Sequence, residues 1–190
     1  MSESYLKMLA NLAASPDCER AYGIKPMTSL QTPLPKPLLG SNLDMAFLGG
    51  IEITEIPWGY NDMGAIQIRG CSYLAVDKGA AIDGIDYNMC FYLCATESPA
   101  AALRLKDEIA PLATRYAHDL DINADFAILG QMADTETICA YVSIKKRSVI
   151  VLNVAAGKAV LHAAVDTLGS DPLMLHNENN HYRVLEPTEF

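Results

Sequence analysis

Five prolines, Pro16, Pro26, Pro33, Pro35 and Pro37, fall within residues 15–42 and limit what that part of the chain can become. Proline lacks a backbone N–H and fixes φ, so neither a helix nor an inner strand runs through the stretch. The Pro33–Pro37 alternation favours extended, polyproline-like backbone. Ahead of it, residues 2–14 read as a short amphipathic helix capped by Ser2 or Ser4, with Tyr5, Met8, Leu9 and Leu12 on one face. So short a segment cannot form a domain of its own. The expected organisation is an N-terminal helix and extended Pro-rich arm over residues 1–42, followed by a single α+β domain over residues 43–190.

Composition sets the class of that domain. The chain has 190 residues, 51% of them hydrophobic and 19% charged, which excludes a disordered polymer. A chain of this size buries about 70% of the surface it exposes when unfolded, so its core needs no metal or disulfide staple. Five cysteines without regular spacing are not a secreted disulfide framework. The most apolar runs, such as Met89–Ala95, are far shorter than the roughly 20 residues of a membrane span. Glu3 and the short run Met8–Ala14 do not make a secretory leader. A cytoplasmic protein that uses no membrane and no cofactor is expected.

Hydrophobic patterning supplies the elements. Gly50–Ile56 and Gly64–Arg69 alternate, and Pro57, Gly59, Asn61 and Asp62 between them predict a hairpin. Ser72–Val76, Tyr87–Ala95, Asp125–Gly130, Thr137–Ile144 and Ser148–Val154 are further strand segments, with Lys145–Arg147 as a hairpin tip. Ser98–Pro99 marks a helix start, and Ala102, Leu105, Ile109, Leu112 and Tyr116 follow at helical spacing. Pro111 should kink or split that helix. A last helix is expected over Ala156–Leu168, ended by Gly169 and Pro172, with one short strand at Tyr182–Leu185. The fold expected is α+β: an antiparallel-rich sheet of about six strands with two main helices packed on it.

Most motif searches fail. Gly157–Lys158 lacks the earlier glycine and the following Ser or Thr of a phosphate loop, and the Rossmann, zincin and hydrolase-elbow patterns are absent. Cys90, Cys94 and Cys139 fall on apolar segments and read as small buried hydrophobes. Cys18 and Cys71 lie near loops, with no histidine beside them to activate a nucleophile. His176, Glu178 and His181 offer imidazole and carboxylate ligands to a borderline metal, at no standard spacing.

Residues 41–136 hold fifteen Asp and Glu against five Lys and Arg, a balance of −10. Such a surface disfavours nucleic acid and suits a basic protein partner or a cation. Asp77, Asp83 and Asp86 are candidate oxygen ligands within it. Trp58, Tyr60, Asn61 and Asp62 form an aromatic turn fit to anchor a partner or small ligand. The rival reading folds Trp58 back over the edge of the core.

Two functions compete on these observations. The arm, the Ala-rich segments, the Trp58–Tyr60 turn and the missing catalytic signatures favour a non-enzymatic binding or assembly protein that forms homo-oligomers. The alternative is a small enzyme with a dispersed acidic and histidine site, with a divalent metal as one variant. A pocket where those residues converge would distinguish the two.

Overall fold

The computed structural model describes residues 45–82, 88–128 and 130–189. The expected N-terminal helix and arm, together with Asp83 and Asp86, lie outside the described residues. Within them the chain is a mixed α+β fold. Its strands are β1 (Glu52–Ile56), β2 (Trp58–Tyr60), β3 (Ile66–Ile68), β4 (Cys71–Val76), β5 (Val149–Asn153), β6 (Lys158–Ala163), β7 (Leu173–Glu178) and β8 (His181–Thr188). Its α-helices are α1 (Cys90–Cys94), α2 (Pro99–Asp119) and α3 (Thr135–Lys145).

All eight strands join one sheet in the order β1-β6-β5-β7-β8-β4-β3-β2. Every pairing is antiparallel except β5 with β7. β1 and β2 therefore occupy opposite ends of the sheet, yet Pro57 alone separates them in the chain. A flat sheet cannot satisfy both conditions, so this one curls until its ends meet. Trp58 bridges the seam, its indole N–H donating to the Gly157 carbonyl on the β5–β6 turn at 3.0 Å.

Curling gives the sheet two apolar faces. Ile56, Ile66, Ile68, Ile150, Leu152, Leu161 and Met174 fill the inside of the curl. Ile53, Val149, Val151, Leu173 and Leu175 face the other way and pack with Phe91, Leu105, Ile109, Ile138 and Tyr182 in the larger, helix-covered core. Central strands buried on both faces lose the alternation of a half-exposed strand.

That loss explains the corrections. Lys158–Ala163, expected to lie in a helix, is β6, its alanines at Ala159 and Ala163 facing the inner core. Thr137–Ile144, expected as a strand, belongs to α3, where Glu136 through Val142 are all buried. A helix buried on every side carries no 3.6-residue stripe. Asp134 starts it through a capping box: its carboxylate accepts from Thr135 N at 2.8 Å, and Thr137 Oγ1 accepts from Asp134 N at 3.3 Å. Lys146, left-handed at φ 53°, ends it, so Lys145–Arg147 is a helix terminus and not a hairpin tip.

Within Tyr87–Ala95, expected as a strand, Cys90–Cys94 is helix α1, and Phe126–Ile128 of the expected strand Asp125–Gly130 is turn and bend. The hairpin lies between β2 and β3, because β1 pairs with β6. β7 has no counterpart among the expected elements. The Ser98–Pro99 start is as read, the Ser98 hydroxyl accepting from Ala101 N at 3.1 Å. α2 runs unbroken through Pro111, which is exposed, as is Asp107 four residues before it. The carbonyl that loses its partner thus lies on the water side of the helix.

Candidate active site

The site grows from the way β4 ends. β8 lies between β7 and β4, and its last partner on the β4 side is Val184, opposite Val76. Two residues back, at Tyr182, the same edge of β8 has no strand beside it. α1 takes that place. Tyr182 N–H donates to Cys90 Sγ at 3.4 Å, and Cys94 Sγ donates to the Tyr182 carbonyl at 3.5 Å. Two thiols one helical turn apart thus replace the missing ladder bonds, which a buried backbone requires.

The peptide that meets Cys90 is the one joining His181 to Tyr182. By standard bond lengths, the His181 Cα lies no more than about 6 Å from Cys90 Sγ. His181 Nε2 is 3.0 Å from Asp77 Oδ1, and Asp77 is the residue that follows β4. The Gly79 N–H donates to the same oxygen at 2.7 Å. The Gly79 N–H and then His181 hold the Asp77 carboxyl below the usual range, so it stays an anion beside the ring. Arg183 extends the chain of charges, 3.9 Å from Asp77 Oδ2 and 3.4 Å from Glu178 Oε2.

Upstream contacts fix α1. Asn88, left-handed at φ 67°, donates from its side chain to the Gly130 carbonyl at 2.6 Å, and Met89 N donates to the Ala80 carbonyl at 2.9 Å. Phe91 then packs edge-on against Tyr92, Tyr141 and Tyr182. Cys90 is buried, and burial raises its thiol pKa against the opposing effect of the Tyr182 and Phe91 N–H groups. Cys94, likewise buried, is pushed up to about 12. Cys90 at rest is a thiol, and its conversion to thiolate needs a base.

Of the residues singled out in the sequence, Asp77 and His181 come together here, while His176 and Glu178 do not join them as a ligand set. His176 opposes Arg183 in the ladder, and Glu178 turns to Arg183. Among the described residues no group of three metal-ligating side chains forms. Trp58 is folded back over the core edge and meets Tyr60 edge-on at 5.2 Å. Asn61 Oδ1 accepts from Met63 N and Ala65 N, building the β2–β3 turn, and Asp62 is exposed.

Cys90, read from the sequence as buried and buried in the structure, is the residue of this candidate site that sequence reasoning does not select. A lone cysteine with distant histidine and aspartate is the available signal, since such residues meet in space and not along the chain. The segment Tyr87–Ala95 reads as a strand, and the neighbours Phe91, Tyr92 and Leu93 make Cys90 read as buried, which removes it from consideration.

No protein-family model and no curated protein sequence matches the chain. Among solved structures it is similar to the viral OTU domain protease from Taggert virus, at 12% identity and a TM-score of 0.44 over 70% of this chain and 94% of that one. The viral OTU domain protease from Dera Ghazi Khan virus is similar at 15% identity and a TM-score of 0.43, over 70% of this chain and 96% of that one. The expectation of a non-enzymatic binding or assembly protein is corrected here: these similar structures are of enzymes. Among the described residues no helix is long and apolar enough to cross a membrane.

Proposed function

We propose that the chain is a small hydrolase using a cysteine nucleophile, with Cys90 attacking, His181 as base and Asp77 orienting the imidazole. The observation that carries this is the contact of Cys90 Sγ with the His181–Tyr182 peptide, at 3.4 Å, while His181 Nε2 faces Asp77. With Nε2 engaged, Nδ1 is the ring nitrogen left to take the thiol proton. The thiolate adds to an ester, thioester or amide carbonyl carbon. Collapse of the adduct expels the leaving group, which takes the proton back from His181. Water, deprotonated by the same ring, then cleaves the thioester and frees Cys90. Asp77 stabilises the imidazolium formed in each half.

The test uses p-nitrophenyl acetate and iodoacetamide as probes. The expected result is a burst of one p-nitrophenolate per chain that C90A abolishes. Iodoacetamide should modify Cys90, and H181A should slow that modification. A burst that survives in C90A, or alkylation of Cys90 unaffected by H181A, overturns the proposal.

A further inference from the structure

A chain of formal charge −9 carries a hollow whose walls have the opposite sign. It lies where α2 and α3 pack together and has a volume of about 500 Å³, within the range of ligand pockets. It meets Ala95, just past the end of α1, whereas Cys90 stands at the start of that helix. Leu105 and Tyr141 give it an apolar floor continuous with the main core. Arg104 and Glu108 border it from α2, Lys145 from the end of α3 and Arg147 from the segment before β5.

Three cations against one carboxylate leave two positive charges over, and the contacts say which. Lys145 Nζ is 2.7 Å from Glu108 Oε2, so these two neutralise each other. Arg147 donates from Nε to the Asp171 carbonyl at 2.8 Å and from Nη2 to the Pro172 carbonyl at 3.4 Å. Both acceptors are uncharged, so the bonds hold the guanidinium in place without cancelling its charge, and Nη1 takes part in neither. Arg104 is exposed and belongs to no ion pair among the described residues. A guanidinium is charged at every working pH, and its fork of donors fits an oxyanion.

We infer that this hollow binds a small phosphate monoester, its apolar body against Leu105 and Tyr141 and its phosphate on Arg104 and Arg147. Charge selects the group. A phosphate monoester carries roughly two negative charges near neutral pH and so matches the two uncompensated cations. A carboxylate leaves one of them unmatched, and a neutral molecule leaves both. The apolar floor favours an ester over the free ion.

The test titrates the full chain with phenyl phosphate, benzyl alcohol and inorganic phosphate, followed by calorimetry and by the Nε–H resonances of Arg104 and Arg147. Phenyl phosphate should bind saturably and move both resonances. Benzyl alcohol lacks the charge and inorganic phosphate lacks the ring, so each should bind several-fold more weakly. R104Q should weaken phenyl phosphate several-fold, whereas E108Q, which removes the opposing carboxylate and releases Lys145, should tighten it. A damaged fold does not produce both signs. No saturable binding of phenyl phosphate, or binding no tighter than that of either partial probe, overturns the inference. So do unmoved arginine resonances, or affinities that R104Q and E108Q fail to shift in opposite directions.

Discussion

Asp77 Oδ1 and His181 Nε2 lie 3.0 Å apart although 104 residues separate them in the chain, and both stand next to the point where α1 replaces β4 along β8. Replacing Asp77 by Asn removes the anion while keeping the shape. Hydrolysis of p-nitrophenyl acetate should fall by about two orders of magnitude or more, because the ring loses both its tautomer control and the partner of its positive form. Stability should change by less than about 1 kcal/mol, since the pair is partly exposed. Steady-state rates set beside urea unfolding curves check both halves.

His162 makes the fold sensitive to acid. Its pKa is about 4 when folded against 6.5 for a free histidine, so between those values the unfolded chain binds the extra proton. This contribution is therefore intact above pH 6.5 and is lost as the pH falls towards 4. The total is roughly 3 kcal/mol, because each tenfold difference in proton affinity between the folded and unfolded chain is worth about 1.4 kcal/mol. Urea unfolding at pH 7.5 and 4.5 should show a steeper acid loss in wild type than in H162F. Carboxylates such as Asp77 titrate in both proteins, so the difference isolates the histidine.

Trp58 tests the seam. W58F keeps an aromatic ring against the inner core but removes the donor to the Gly157 carbonyl, and should cost about 1 kcal/mol. W58A also empties the ring's space and should cost about 3 kcal/mol or more. Thermal or urea unfolding gives both numbers. Equal losses would mean that the ring contributes nothing beyond its hydrogen bond.

Gly49 and Gly50 form an internal control. Both have positive φ, 63° and 77°, but a Cβ on Gly49 would run into the Tyr116 hydroxyl, whereas one on Gly50 meets open space. Tyr116 is itself held by Ser143 at 3.1 Å. G50A should lose only the backbone strain of about 1–2 kcal/mol, and G49A clearly more, by calorimetry.

What the sequence discloses depends on whether each segment has a wet side. α2 does, and its cap, its proline and its stripe from Ala102 to Tyr116 are all readable. β4, with Leu74 and Ala75 exposed, is found as well. α3 and β6 are enclosed, so periodicity is silent and composition misleads: Thr137, Ile138 and Val142 look like strand, and the alanines of 156–164 look like helix. The site is half legible for a related reason. Asp77 and His181 are polar enough to draw notice singly, but their pairing depends on strand order, and Cys90 on its apolar run looks like packing.

The closure of the sheet has a mechanical side. In an open sheet the outermost strands fray first and independently. Here Pro57 ties the outermost two into one continuous segment, stitched by Trp58 to the β5–β6 turn. Lifting β2 drags on β1, and β1 is zipped to β6 along five residue pairs. The molecule thus has no loose end along this seam from which peeling starts, and a pull applied there is shared at once with the middle of the sheet.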